Sequence, residues 1–183
     1  MKLSRHRLCW ILAIALVAVV LPLSAQPSHL PAVGDRVPLF CGHNQDGCQW
    51  RLADHLGKGF IFLYFYPQDN TTASIEEASS LRDNLAELKR AGVYVVGVSF
   101  NHKRAQKEFA FKYNLSFPLL ADVDGHIADA FGTRLARLKL DRRVSFIIGL
   151  DGHIVHITDS PDPKVHIREM AETLASMSDK ASL

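Results

Sequence analysis

The chain has 183 residues, of which 48% are apolar or aromatic and 22% are charged, with a formal net charge of +2 at neutral pH. This length suffices for one domain with its own hydrophobic core. Lys2, Arg5 and Arg7 are the only charged residues among the first 25, so the rest of the chain carries −1. Charge therefore excludes nucleic acid as an expected partner.

The first 25 residues have the pattern of a secretory signal peptide. The basic start is followed by a 16-residue apolar run, 8–23, and then by Ser24-Ala25, a small-residue cleavage site before Gln26. A membrane span needs about 20 apolar residues. We therefore predict an exported protein, with the bacterial periplasm as its compartment. Membrane attachment is expected only if this segment stays uncleaved.

Residues 26–36 contain proline and glycine and predict a flexible leader. Two short strands, 37–41 and 48–52, then flank an Asp46-Gly47 turn as a hairpin. Cys41 and Cys48 flank the same turn, and an even cysteine pair in an exported protein favours a structural disulfide. A redox-active pair is the alternative. A metal site that adds His43 is disfavoured, because three ligands make a weak site in an oxidising compartment; no cofactor is predicted.

The remaining elements alternate between strand and helix. Strands are predicted at 60–66, 93–100, 117–121, 144–150 and 153–157, and helices at 73–90, 103–113, 126–131 and 164–177. This order predicts an α/β domain over residues 37–178, followed by a tail at 179–183. The expected architecture is a thioredoxin-like fold, in which a central mixed β-sheet carries helices on both faces and is preceded by the N-terminal hairpin.

The segment from Tyr66 to Ser74 reads YPQDNTTAS and opens the first long helix. With Pro67 and Thr71 at the required spacing, it resembles the P-x-x-x-T-x-x-C active-site loop of the peroxiredoxins (AhpC/TSA type), in the bacterioferritin-comigratory-protein branch. The resemblance runs from about residue 33 to residue 157. In that family the cysteine of this motif attacks the hydroperoxide, and a resolving cysteine often follows five residues later. These two positions are Ser74 and Ser79 here.

Two further residues share the resemblance. Arg143 begins the sequence RVSF, which matches the family's R-x-[ST]-F, and Glu77 matches a residue commonly found three positions after the reactive cysteine. The resemblance implies that Thr71 and Arg143 would hold the oxygens of a peroxide. The alternative for Arg143 is a place in a solvated basic stretch, which also contains Arg134, Arg137, Lys139 and Arg142.

A serine cannot perform the family's chemistry, because an alcohol is a far weaker acid than a thiol and has no counterpart of the sulfenic acid. Serine is, however, a favoured residue at helix starts, and we favour a capping role for Ser74 over a nucleophilic one. The expected function is therefore that of an exported peroxiredoxin-like pseudoenzyme. It would be a binding or scaffolding protein whose residual pocket accepts a hydroperoxide or a small anion.

Two alternatives remain open at this point. The chain could be a thioredoxin-dependent hydroperoxide reductase seen as a Cys-to-Ser variant, or a weak thiol–disulfide protein that uses Cys41 and Cys48. Either would need a thioredoxin-like reductant as partner. Thr72-Ala73 replaces the Pro-Gly usual in the family, and Ile75 replaces a common threonine. These further departures favour natural divergence.

Overall fold

A computed structural model of the protein describes residues 29–135 and 138–181. The predicted signal peptide, the start of the predicted leader, Arg137 and the last two residues of the predicted tail lie outside the described residues. Within the described ranges, no helix combines the length and apolar character that crossing a membrane requires.

A five-stranded mixed sheet forms the centre of the fold. Its strands are β3 (Phe60–Phe65), β4 (Val93–Ser99), β5 (Leu119–Ala121), β6 (Val144–Ile148) and β7 (Ile154–Asp159). They lie in the order β5-β4-β3-β6-β7. β3 pairs in parallel with β4, and β4 with β5, whereas β6 is antiparallel to both β3 and β7. The predicted thioredoxin-like α/β fold with a central mixed sheet is confirmed.

Apolar clusters cover the two faces of this sheet. One cluster joins the sheet to the helix His126–Phe131 through Phe131 and to the N-terminal hairpin through Trp50. The other cluster joins the sheet to the remaining helices, and its members include Leu81 and Met170. The helices are α1 (Thr72–Asp83), α2 (Leu85–Arg90), α3 (Lys103–Lys112), α4 (His126–Phe131) and α5 (Pro163–Ala181). β3 is almost entirely buried, as its unbroken apolar sequence predicts.

The predicted single helix over residues 73–90 is two helices, α1 and α2, which meet at Asn84. The backbone of Asn84 is not helical, with φ −97° and ψ 3°. Its side-chain amide donates to the carbonyl of Ser80 at 2.8 Å. Asparagine competes with helical hydrogen bonding in this way, so a helix boundary forms within a continuous apolar pattern.

The predicted hairpin is present as β1 (Cys41–His43) and β2 (Gln49–Arg51), and Gly47 takes the left-handed φ of +83° in its turn. A short 3-10 helix, Leu52–Asp54, follows. The turn also reaches the outer strand of the sheet. The Gln45 side chain accepts from the backbone N–H of Leu119 at 2.8 Å and donates to the carbonyl of Phe117 at 3.1 Å. Gln45 thereby fastens the hairpin to β5.

The predicted disulfide is not present, because Cys41 and Cys48 are both free and exposed. The ladder pairs Cys41 with Arg51, whereas Cys48 faces Asn44, three residues along. Three residues of strand span about 10 Å, beyond the roughly 4.4–6.8 Å between Cα atoms that a disulfide bridges. An odd offset also turns the two side chains to opposite faces of the hairpin.

Candidate functional site

A short loop leads from β3 into α1 and is held by a buried carboxyl group. The Tyr66 hydroxyl donates to Asp69 Oδ1 at 2.9 Å, and the Asp69 backbone N–H donates to Asn101 Oδ1 at 3.0 Å. The next residue, Asn70, has a φ of +60°, in the left-handed region that asparagine tolerates better than most residues. These contacts fix the direction in which α1 begins.

The residue that caps α1 is Thr71, not Ser74. Thr71 has extended backbone angles, and its Oγ1 accepts from the backbone N–H of Ser74 at 3.2 Å. This is the standard arrangement in which an N-cap hydroxyl satisfies a free N–H of the first turn. The predicted capping role of Ser74 is therefore wrong, since Ser74 lies inside the helix and only 2% of its surface is exposed.

The Ser74 hydroxyl lies at the meeting point of two donors. Its Oγ accepts from the Thr71 hydroxyl at 2.8 Å and from Arg143 Nη2 at 3.2 Å. The first turn of α1 adds the positive end of the helix dipole. Position 74 is thus surrounded by groups that favour negative charge on its side-chain atom.

Arg143 reaches this point because of the sheet. It directly precedes β6, which runs antiparallel to β3 with Val144 paired to Phe65, so Arg143 lies beside the loop that follows β3. It is 7% exposed and forms an ion pair with Glu77, which is fully buried on α1. The alternative of a solvated basic stretch is therefore wrong for Arg143. Arg134 and Arg142 have partners of their own, Asp129 and Asp159.

The buried carboxyl groups around the site hold protons more tightly than usual. Burial raises the pKa of Glu77 to about 7, against the opposing effect of Arg143. Burial likewise raises the pKa of Asp69 to about 6, although the hydrogen bond from Tyr66 lowers it. Glu77 Oε1 and the Tyr64 hydroxyl have no hydrogen-bond partner among the described residues.

The predicted site residues separate into two groups. Thr71, Ser74, Glu77 and Arg143 come together as one buried cluster. Pro67 lies at its edge, between two open cavities of about 240 and 320 Å³. Ser79 is half-buried, five residues beyond Ser74 on α1, and five residues turn its side chain to another face of the helix.

Some polar groups near the site were not predicted. Besides Asp69, the buried His166 of α5 bridges Ser145 Oγ through Nδ1 and the carbonyl of Ser160 through Nε2, both at 2.8 Å. This bridge ties the start of α5 to the strand that follows Arg143. Ser145 stands in the RVSF sequence, but nothing local to position 166 indicates that its ring lies against that strand.

One group of possible metal ligands, Asp122, Asp124 and His126, lies away from this cluster. Both oxygens of Asp122 already accept from backbone N–H groups at the start of α4. The His126 ring donates from Nδ1 to Asp124 Oδ1 at 2.7 Å and from Nε2 to the carbonyl of Cys41 at 2.9 Å. These hydrogen bonds account for the cluster as a support for α4.

The arrangement suits chemistry at an electronegative atom. A buried side-chain atom at the start of a helix, with a hydroxyl and a guanidinium donating to it, is the setting that lowers the pKa of a reactive cysteine. On a thioredoxin-like α/β sheet, this setting defines the redoxin class of proteins. The AhpC/TSA family model matches residues 33–157, and the chain belongs to that family.

The relatives indicate the branch. The chain is 38% identical to peroxiredoxin Bcp of Escherichia coli strain K12 over 132 residues, which cover 69% of this chain and 84% of the relative. It is 34% identical to the chloroplastic peroxiredoxin Q of Populus jackii over 152 residues, covering 79% and 68%. The crystal structure of peroxidoxin BcpB from Mycobacterium tuberculosis superposes with a TM-score of 0.75 at 31% identity, covering 81% and 98%. The chain is thus a peroxiredoxin of the Bcp and peroxiredoxin Q branch.

Proposed function

We propose that this peroxiredoxin does not reduce hydroperoxides and acts instead as an exported binding or scaffolding protein. The observation that carries the proposal is the oxygen of Ser74 at the point where Thr71 and Arg143 both donate. In the P-x-x-x-T-x-x-C motif of this branch, the cysteine sulfur that attacks the peroxide occupies this position. Ser79 occupies the position of the resolving cysteine, so both thiols of the expected cycle are replaced.

The missing step follows from the chemistry of oxygen and sulfur. A peroxidatic thiolate displaces one oxygen of the O–O bond and becomes a sulfenic acid, while the other oxygen leaves as an alcohol or water. The hydroxyl of Ser74 stays protonated at neutral pH, even with two donors and a helix dipole beside it. Its attack on a peroxide would only form another O–O bond, so no reduction occurs.

The side chains that would bind a peroxide are retained at this site. Thr71 and Arg143 still present their donors, and Glu77 holds the guanidinium in place through the ion pair. A hydroperoxide or a small anion would bind at these donors, beside Pro67. The proposed export rests on the pattern of residues 1–25, and with it the assignment to the periplasm.

A peroxide-consumption assay tests the proposal. The native protein is incubated with hydrogen peroxide or an alkyl hydroperoxide, together with thioredoxin, thioredoxin reductase and NADPH. We expect no turnover above the protein-free rate. Turnover that is lost in Ser74→Ala would contradict the proposal directly.

A second function has one observation in its favour, the exposed free thiols of Cys41 and Cys48. A thiol–disulfide activity through them would appear as slow turnover in the same assay. Because these two thiols do not face each other, such turnover would disappear when the one that reacts, Cys41 or Cys48, is changed to serine, and it would persist in Ser74→Ala. A thioredoxin-like reductant would be the partner in that case.

A further inference from the structure

Four aromatic rings lie in sequence between the central sheet and the surface at the end of α3. The rings of Tyr64 and Tyr66 are stacked with centroids 5.4 Å apart, and the Tyr66 centroid is 6.4 Å from that of Phe109. Phe109 in turn contacts Tyr113 at 5.1 Å. Tyr66 and Phe109 are buried, whereas Tyr113 is only half-buried. The rings therefore form a continuous aromatic path from the interior to the surface.

The buried part of this path contains a hydrogen bond from a phenol to a carboxylate. The Tyr66 hydroxyl donates to Oδ1 of the buried Asp69 at 2.9 Å. A phenol that loses one electron becomes a strong acid, and it needs a base within hydrogen-bond distance to accept its proton. Burial raises the pKa of Asp69 to about 6, so the carboxyl group is still mostly ionised at neutral pH and is such a base. Tyr66 can thus lose an electron without leaving a buried positive charge on its ring.

The other two tyrosines of the path are less suited to hold the oxidised state. The Tyr64 hydroxyl has no hydrogen-bond partner within residues 29–135 and 138–181, so no base is in place to accept its proton. The ammonium group of Lys112 lies 5.1 Å from the centre of the Tyr113 ring, and its positive charge disfavours the loss of an electron there. The negative charge of Asp69 favours that loss at Tyr66. An oxidation that begins at Tyr113 is therefore expected to move inward and end on Tyr66.

We propose that Tyr66 and Asp69 form a one-electron donor site, which reduces organic peroxyl radicals at the surface through Phe109 and Tyr113. One electron passes from the Tyr66 phenol to the radical, and the phenolic proton moves to Asp69 Oδ1. The radical takes up this electron and a proton from water, so it becomes a hydroperoxide and hydroxide is released. Tyr66 is left as a neutral tyrosyl radical beside a protonated carboxyl group. This activity does not involve Ser74 and goes beyond the proposed function.

Electron paramagnetic resonance tests which ring holds the radical. Peroxyl radicals are generated in the presence of the native protein by heating a water-soluble azo compound in air, and the sample is then frozen. We expect a tyrosyl signal that is lost in Tyr66→Phe and in Asp69→Asn, which keeps a hydrogen-bond acceptor but removes the base. Tyr94→Phe is the matched control, because the Tyr94 ring is exposed and lies outside the path. A native signal that survives Tyr66→Phe, or no tyrosyl signal at all, would overturn the proposal.

The rate of oxidation tests the path. A photosensitiser oxidised by a laser flash removes one electron from the protein, and the absorbance of the tyrosyl radical is followed over time. Phe109→Leu should slow the appearance of this radical, because it removes the ring between Tyr66 and Tyr113. Phe111→Leu is the matched control on the same helix, since Phe111 is exposed. Equal rates in these two variants would refute the path. If Tyr66→Phe or Asp69→Asn does not fold, this comparison still decides.

Protection of a fluorescent dye measures the activity itself. The native protein should slow the bleaching of the dye by peroxyl radicals, and Tyr66→Phe should lose more of this protection than Tyr94→Phe. Equal protection by the native protein and Tyr66→Phe would contradict radical reduction at this site. Peroxide turnover with thioredoxin and NADPH would contradict the proposed function and leave these outcomes unchanged, so the two failures are distinguishable.

Discussion

The sharpest prediction concerns Ser74→Cys in a Cys41→Ser, Cys48→Ser background. The new thiol would receive the hydrogen bonds that Ser74 Oγ accepts from Thr71 at 2.8 Å and from Arg143 at 3.2 Å, in the first turn of α1. A nearby cation lowers an acidic pKa by about 1–3 units. From about 8.5 for a free cysteine, we expect a thiol pKa of about 6.5.

The expected change in thiolate is large. At pH 7, a thiol with a pKa of about 8.5 is roughly 3% ionised, whereas one with a pKa of about 6.5 is roughly three-quarters ionised. The alkylation rate measured against pH, with thiolate ultraviolet absorbance as a second readout, gives the pKa. Ser79→Cys in the same background is the matched control, because Ser79 lies on the same helix on a different face, and its thiol should titrate near the free value.

The second part of the experiment asks which donor is responsible. Adding Arg143→Gln to the Ser74→Cys protein should raise the thiol pKa by about one unit or more, and adding Thr71→Val should raise it less, because only the guanidinium carries charge. Ser74→Cys should consume peroxide slowly, and adding Arg143→Gln should reduce this rate more than adding Thr71→Val. A Ser74→Cys thiol that titrates at 8.5 or above would show that the cluster does not stabilise negative charge, and would refute the reasoning from geometry.

Three further predictions concern stability and the cysteines. The pKa of Glu77 rises from 4.5 to about 7 on folding, so its contribution to stability is fully present below about pH 4.5 and is lost as the pH rises through 7. The midpoint of urea unfolding should show this loss in the native protein and not in Glu77→Gln. A native midpoint that rises over this pH range relative to the variant would contradict the prediction. Leu81→Ala, at a fully buried position, should lower the free energy of unfolding by about 2–5 kcal/mol. The exposed Leu150→Ala should change it by about 0.5 kcal/mol or less, and equal effects would count against the described core. Without reductant, mass spectrometry should find Cys41 and Cys48 both alkylated in the folded protein, and a peptide pair linked by a disulfide would contradict the observed register.

Much of the fold was predictable because its signals are local. The unbroken apolar run of β3, the alternation of strands and helices and the Asp46-Gly47 turn each depend on neighbouring residues. The structure differs from the predicted fold at two places, and at each a local interaction competes with the apolar pattern or the turn signal of the sequence. Asn84 interrupts a continuous apolar face through its side-chain amide, and the exact pairing of β1 with β2, which separates Cys41 from Cys48, depends on where the turn closes.

The site was predictable only in part because its members come from different elements. The motif spacing indicated Thr71 and position 74, and the context of Arg143 indicated the strand that brings it close. The predicted helix over residues 73–90 already contained Ser74, but the sequence did not show that Thr71 would cap it in place of Ser74. Asp69, Asp141 and His166 look like ordinary polar residues in the sequence, and only the packing of the sheet, loops and α5 around them makes them buried.

The Gln45 side chain has a consequence for how the molecule behaves in a crowded solution. β5 is the last strand on its side of the sheet, and backbone groups on such a border readily recruit a strand from another molecule. By bonding to the backbone on either side of Pro118, the amide of Gln45 takes up hydrogen-bonding capacity that a foreign strand would use. We expect this contact, beside the bridge between Asn44 and Leu120, to reduce self-association through β5.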